Sequence, residues 1–242
     1  GMTPEATHRA KEIYSVFCLG ELLETNDRTA ELAKLTENSF RDVNIAFANE
    51  LSLICDQLGI NVWELIELAN HHPRVNILQP GPGVGGHCIA VDPWFIVSSA
   101  PDTARLIRTS REVNDGKPEW VLGKVRDAAS NAGKDSRVAL LGLAFKPDID
   151  DLRESPAVSI ARAVATSESD REILLVEPNV DELPAQLAGL PNVTLASLEQ
   201  ALNDAEVIVL LVDHREFKSI PVEALEGKQV VDTKGVWQEA GI

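Results

Sequence analysis

The chain is poor in the residues that mark several large protein classes. It holds three cysteines, Cys18, Cys55 and Cys88, an odd number with no CxxC pair. That argues against a disulfide framework and a zinc knuckle, so no metal is expected and a reducing compartment fits. No stretch approaches the ~20 consecutive apolar residues that cross a bilayer, and no basic segment followed by an apolar one opens the chain. The expected location is the cytoplasm, with no membrane partner. Basic residues are scarce: 22 Lys plus Arg stand against 38 Asp plus Glu, a formal charge of −16. A surface of that sign repels nucleic acid, so any anionic ligand needs a local basic pocket. A GxGxxG fingerprint is missing, and with it the usual sequence mark of a dinucleotide site. No internal repeat interrupts the chain either.

What is present suffices for a core. With 242 residues, 44% of them hydrophobic and 25% charged, the chain fits one large or two modest globular domains. Residues 28 to 60 predict one long amphipathic helix: Leu32, Phe40, Val43, Phe47, Leu51, Ile54 and Leu58 fall on one face at helical spacing. This stripe is the expected core face. Lys34, Asn38, Arg41, Asp42 and Asn49 gather on the opposite side. Asn26 or Asp27 is the candidate cap and Gly59 the stop. A second helix is expected from Asn61, with Glu64 in a capping-box position, to His71-His72-Pro73.

Between Gln79 and Cys88 glycine and proline are too dense for a regular element, which predicts a tight loop with exposed backbone. Asp92-Pro93 then reads as an N-cap and first-turn proline. A further helix is expected from Asp102 to Ala129, kinked or broken at Asn114 to Pro118. From Arg137 the texture changes. Short apolar runs at Val138–Leu141, Ile173–Val176, Val193–Leu195, Val207–Val212 and Val230–Val231 alternate with helical patterns from Pro156, Leu183 and Leu198. That alternation predicts a parallel sheet covered on both faces, a doubly wound α/β fold. The expected division is a helical region over 1–133 and a Rossmann-like domain over 134–242.

Several residues in this frame are candidates for chemistry. Cys88 follows the glycine-rich loop and precedes a helix start, a setting that favours thiolates. It is either a nucleophile or a small buried hydrophobe, and the spacing leaves both open. Cys18 and Cys55 sit on helical patterns and read as packing. Lys34 and Asn38, four apart on a polar face, would project an ammonium and an amide together. A partly desolvated Lys serves as acid, base or oxyanion partner, and a solvated helix face is the competing account. Asp92 is equally well explained as a cap. Gly142-Leu143-Ala144-Phe145-Lys146 follows a strand, where a doubly wound sheet binds ligands. Lys146 and Arg153 suit phosphate as point charge and fork, or are ordinary loop cations.

Taken together, the segments AELAKLTENSFRDVN at 30–44, HPRVN at 72–76, GPGVGGHCIAVDPW at 81–94, GLAFKPDIDDLRESP at 142–156 and VDTKGVW at 231–237 resemble the nucleotide-sugar 6-dehydrogenases, the UDP-glucose dehydrogenase superfamily. The resemblance runs over nearly the whole chain. The cysteine loop GGHCIAVDPWF is similar to the branch acting on N-acetylated sugars, nearest to the form that takes UDP-N-acetyl-D-mannosamine, ahead of UDP-N-acetylglucosamine and UDP-glucose. Gly1 to Thr7 is similar to the family sequence just past its amino-terminal NAD-binding domain, so that domain is expected to be absent or supplied by a separate chain.

The resemblance implies a four-electron oxidation of the sugar C6 alcohol to a carboxylate with two NAD. It gives Cys88 the role of nucleophile through a thiohemiacetal and a thioester, Lys34 and Asn38 that of oxyanion partners with Lys34 exchanging the alcohol proton, and Asp92 that of a guide to the hydrolytic water. Arg41, His72, Arg74, the backbone of Gly85, Phe145, Lys146 and Lys234 are implied to bind the UDP-sugar, and Arg153 to contact NAD. A homodimer with Arg74 reaching the partner's site is implied as well. Without the NAD domain, a UDP-sugar-binding and dimerising module with no turnover is the alternative for this polypeptide.

Overall fold

The computed structural model describes residues 1–237. The first part is helical. A short helix α1 (Pro4–Tyr14) leads to the long helix α2 (Asp27–Leu58). Asn26 caps α2 by accepting the Thr29 N–H at 2.8 Å, and Gly59 ends it in the left-handed conformation, φ 67°, which glycine adopts without steric cost. Helix α3 (Val62–Asn70) is capped by the Asn61 side chain, which accepts from Trp63 and Glu64. The glycine-rich segment forms no regular element and runs into α4 (Asp92–Ser99).

Helix α2 lies the other way round from its hydrophobic pattern. Its buried residues are Ser39, Asp42, Ala46, Ala48, Asn49, Ser52 and Cys55, while Leu32, Phe40, Phe47, Ile54 and Leu58 are exposed. The small and polar face packs on α5 (Arg105–Ala132) because a polar network from that helix fills the interface. Arg111 Nη1 donates to Asp42 Oδ1 at 2.6 Å, Asn114 Nδ2 to Asp42 Oδ1 at 2.8 Å, and Asn49 Nδ2 to Asn114 Oδ1 at 2.9 Å. Burial pushes the Asp42 carboxyl above its ordinary value, against the pull of Arg111 and Asn114. Polar groups so placed are mostly paired, and Asp42 Oδ2 and Arg111 Nε are the atoms of this network left without a partner among the described residues. The apolar stripe is left uncovered.

Helix α5 passes Pro118 unbroken, so of the expected kink or break the break does not occur. Pro118 costs the helix the hydrogen bond to Asn114. Side chains on the preceding turn are tied to α2: Asn114 to Asp42, and Lys117 Nζ to Ser52 Oγ at 2.6 Å. Tertiary anchoring outweighs the local defect. The carboxyl-terminal half of α5 leaves α2 and packs on the sheet through Val121, Val125 and Ala129. One helix thus belongs to both regions.

Five parallel strands form the sheet: β1 (Val138–Leu141), β2 (Ile173–Val176), β3 (Val193–Leu195), β4 (Val207–Leu210) and β5 (Gln229–Asp232), in the order β3-β2-β1-β4-β5. Strand residues alternate between two cores. Val138, Leu140, Ile173, Leu175, Val207 and Val209 face α5 and α6 (Pro156–Ser167), whereas Ala139, Leu141, Leu174, Ile208 and Leu210 face Phe217, Leu225 and Trp237. Helices α7 (Ala185–Ala188), α8 (Leu198–Asp204) and α9 (Arg215–Lys218) complete the cover. The helix expected at Leu183 starts after the cap residue Pro184. Strand β4 stops at Leu210 because the Leu211 and Val212 N–H groups both turn to the Leu141 carbonyl.

The strand order reverses between β1 and β4. Their carboxyl ends therefore open a crevice, the place where doubly wound sheets take ligands. At its floor Gly142 has φ 91°, and a Cβ there would lie 2.5 Å from Val212 Cβ. Only glycine lets the two strand ends approach this closely.

Candidate active site

A cleft of about 470 Å³ opens at this switch point. Arg41 of α2, Gly81 to Gly85, Phe145 and Lys146 after β1, Asp213 after β4 and Lys234 after β5 all line it. Five of the eight substrate-binding and NAD-contact candidates thus share one cavity: Arg41, Gly85, Phe145, Lys146 and Lys234. Three cations and an aromatic ring in an otherwise acidic protein match the local basic pocket an anionic nucleotide requires. Lys234 Nζ lies 3.3 Å from Asp213 Oδ1, and Lys218 Nζ lies 2.9 Å from Asp213 Oδ2. Burial pushes the Asp213 carboxyl up, but the bond from Lys218 and the charge of Lys234 win and hold it below its ordinary value.

The glycine loop is seated by contacts that a side chain would destroy. A Cβ on Gly85 would lie 2.6 Å from Pro156 Cδ and 2.8 Å from the Glu154 carbonyl, and one on Gly83 2.9 Å from Pro156 Cβ. Gly86 N–H donates to Glu154 O at 3.3 Å, and Gly81 N–H donates to Asn49 Oδ1 at 2.9 Å. The loop is therefore pinned to α2 at one end and to the head of α6 at the other.

None of the reactive candidates lines the cleft, although Ile89, next to Cys88 in the chain, does. Cys88 is exposed in the turn before α4, and its carbonyl accepts the N–H groups of Val91 at 3.1 Å and Asp92 at 2.8 Å. Asp92 makes no side-chain cap on α4, so the capping account of this residue fails. It instead accepts from Asn38 Nδ2 at 2.5 Å across the α2–α4 contact. Lys34, one turn before Asn38, is exposed and pairs with Glu37 at 3.2 Å.

His72 and Arg74 are exposed on the segment after α3, where Arg74 N–H donates to His72 Nδ1 at 3.3 Å; neither lines the cleft. Arg153 is exposed and already forked onto Asp151, with Nε to Oδ1 at 2.9 Å and Nη2 to Oδ2 at 2.7 Å. That pairing drives the Asp151 carboxyl well below the usual carboxylate range. Among the described residues no cluster of His, Cys, Asp and Glu is placed to hold a metal, and no helix is long and apolar enough to cross a membrane.

Supporting residues escaped the sequence reading. Asp232 accepts the N–H groups of Lys234 at 2.8 Å, Gly235 at 2.7 Å and Trp237 at 2.8 Å, which shapes the turn carrying Lys234. Its Asp-Thr-Lys-Gly setting is a legible turn signal. Asp42 and Asn49 were placed on a polar face, yet nothing in one helix told which partner would bury that face. Glu177 and His214, both buried, hold the turn after β1; a carboxylate at the end of the second strand was the available clue.

This geometry defines an α/β protein with a basic cleft at the topological switch point of a doubly wound sheet. Two family descriptions match the chain: "UDP-glucose/GDP-mannose dehydrogenase family, central domain" over residues 28–116 and "UDP-glucose/GDP-mannose dehydrogenase family, UDP binding domain" over residues 139–239. The chain belongs to the UDP-glucose/GDP-mannose dehydrogenase family. A UDP-N-acetyl-D-mannosamine dehydrogenase from Salmonella typhi is 63% identical over 245 residues, which cover 98% of this chain and 58% of that protein. An NDP-N-acetyl-D-galactosaminuronic acid dehydrogenase from Ralstonia solanacearum is 56% identical over 237 residues, 98% of this chain and 55% of that one. A solved UDP-D-ManNAc dehydrogenase from Pyrococcus horikoshii shares the fold with TM-score 0.82 at 37% identity, again over 98% of this chain and 55% of that one. The chain therefore spans little more than half the length of these relatives.

Proposed function

We propose that this chain is the sugar-nucleotide-binding and acyl-transfer part of a nucleotide-sugar 6-dehydrogenase that takes UDP-N-acetyl-D-mannosamine, with residues 1–133 as a helical dimerising region and 134–242 as the UDP domain. The observation that carries it is the cleft at the β1–β4 switch point with Arg41, Lys146, Lys234 and Phe145 on its walls. Guanidinium and ammonium groups pair with a diphosphate, and Phe145 offers a flat apolar face to a base or sugar ring. Identity to N-acetyl-sugar dehydrogenases from two genera supports the sugar class.

Cys88 is the nucleophile in this reading. Its sulfur bonds to the C6 aldehyde carbon and the carbonyl pair moves to oxygen, where the Lys34 ammonium and the free N–H of Asn38 meet the charge. After oxidation of that adduct to a thioester, water attacks the carbonyl carbon, the C–S bond breaks and the thiolate leaves. Asp92, fixed by Asn38, accepts the water's proton. Both oxidations need a hydride acceptor, and NAD is the one the family implies. This chain offers no usual seat for its pyrophosphate: no glycine fingerprint follows β1, and Arg153, exposed and paired with Asp151, is a single contact. On its own, then, this polypeptide binds the UDP-sugar without turnover.

Calorimetry on the chain tests this reading. UDP should bind measurably and NAD weakly or not at all. Tight NAD binding with no response to UDP would overturn the assignment of the sheet domain.

A further inference from the structure

In a doubly wound sheet the N–H groups of the turn after β1 commonly receive a nucleotide's phosphate. Here an anion of the protein already sits there. Glu177 follows β2 and is only 4% exposed. Its Oε2 accepts the Leu143 N–H at 2.7 Å, the Ala144 N–H at 3.0 Å and His214 Nε2 at 3.1 Å, and its Oε1 faces the Asn179 N–H at 3.2 Å and Nδ2 at 3.1 Å. A carboxylate with this many donors is fully used. Burial pushes Glu177 up, but the bonds from His214 and the Leu143 N–H outweigh it, so the carboxyl stays below its ordinary value and charged.

His214 carries the same control to the far end of the turn. Its ring is wholly buried, and Nδ1 accepts the Asp148 N–H at 2.9 Å. The other ring nitrogen therefore bears the proton that it donates to Glu177. Asp148 sits at φ 59°, a left-handed conformation uncommon outside glycine, and its Oδ1 accepts the Arg215 N–H at 3.1 Å. Both ends of the turn are tied to one carboxylate–imidazole pair. Phe145 and Lys146, between those ends, line the cleft together with Pro147.

We propose that Glu177 is a built-in substitute for phosphate in this turn: its carboxylate fills the seat made by the Leu143 and Ala144 N–H groups, closes it to an external pyrophosphate, and through His214 positions Phe145 and Lys146. The last step rests on the reading of the cleft as a UDP site, whereas the occupied seat does not. One side chain thus makes the domain a poor host for a dinucleotide while setting its side-chain contacts to a sugar nucleotide.

The full chain carrying Glu177→Ala tests the seat, because the truncation leaves room for a small anion. Formate or inorganic phosphate should shift the Leu143 and Ala144 amide resonances in this variant and leave them still in the wild type. UDP affinity should fall about tenfold or more, as expected when buried donors lose a charged acceptor, and formate should restore part of it. Amides silent to both anions in a folded variant would remove the anion seat. Unchanged UDP affinity would remove the positioning role. Should the alanine variant not fold, Glu177→Gln decides, since it keeps the volume but sets an NH2 group against donors: weakened UDP binding is expected, and wild-type affinity overturns the proposal. A wild-type chain that binds no UDP refutes the cleft reading, and the amide response to formate then still decides the seat.

Discussion

Asn38 and Asp92 meet across the packing of α2 on α4, Nδ2 to Oδ2 at 2.5 Å. Asp92 is the first residue of α4, where a carboxylate is favoured by the helix dipole. Its backbone N–H returns to the Cys88 carbonyl at 2.8 Å. The amide of one helix thereby fixes the carboxylate of another, one turn from the thiol.

Asn38→Ala removes that tie while leaving the UDP cleft intact, because neither Asn38 nor Asp92 lines it. Stability should drop by roughly 1–2 kcal/mol, the scale for a hydrogen bond to a charged group. UDP affinity should stay at the wild-type value. Thermal melts and calorimetry read the two separately, and lost UDP binding would contradict the separation of the two sites.

Cys88→Ser, placed in the complete enzyme, should abolish acid formation. A serine hydroxyl at its usual pKa is a far weaker nucleophile than a thiolate, and its ester is a slower acyl donor than a thioester. UDP binding should survive, since Cys88 lies outside the cleft. Wild-type rates of acid production from the serine variant would take Cys88 out of the mechanism.

Much of this was legible beforehand, and the failures share a cause. Strand positions and helix ends followed from local signals: Asn26 as cap, Gly59 as stop, and the apolar run of Val138 to Leu141 between loops. The cleft residues Arg41, Phe145, Lys146 and Lys234 came from motif resemblance, and the fold put them together. What failed depends on partners distant in sequence. The orientation of α2 is set by Arg111 and Asn114 reaching Asp42 and Asn49 from a helix some 70 residues on, and no periodicity within α2 reports that. A break at Pro118 was open from its own neighbours, and the ties of that turn to α2 are what hold the helix together. Asp92 looked like a cap because Asp-Pro is a common cap signal, yet Asn38 claims its carboxylate.

Lys117 predicts a pH effect on stability. Only 2% exposed, it donates to Ser52 and lies 3.6 Å from the centre of the Trp120 ring. Burial pulls its amine from 10.5 down to about 7. Between those pH values the unfolded chain holds the proton and the folded one does not, so stability rises with pH across the window. Below about 7 both states are protonated and the buried charge exerts its full penalty. Lys117→Met should therefore stabilise by about 1–4 kcal/mol at pH 6, and the gain should shrink as pH rises toward 10. Ser52 keeps its bond to the Asn49 carbonyl at 2.6 Å. Urea melts at several pH values measure this, and a gain independent of pH would mean that Lys117 keeps its ordinary pKa in the folded state.

The uncovered stripe on α2 predicts the assembly. Phe40, 71% exposed, and Phe47, 52% exposed, recur with Ile54 at seven-residue spacing along one side of a 32-residue helix. Residues repeated every seven positions form a seam that meets a second helix lengthwise, and apolar area of this extent on one face marks an interface. A second copy of the chain, placing the same stripe against itself about a two-fold axis, covers it symmetrically. A dimer is expected in dilute solution. Phe40→Asp combined with Phe47→Asp should give a folded monomer, because both side chains point away from the network around Asp42. Arg74, exposed and outside its own chain's cleft, is expected to complete the partner's site. Arg74→Ala should then keep the dimer and lose affinity for the UDP-sugar, and the doubly substituted monomer should lose it too. Sedimentation and titration give the two readings on the same samples, and a wild-type monomer that binds the sugar nucleotide at full strength would refute both.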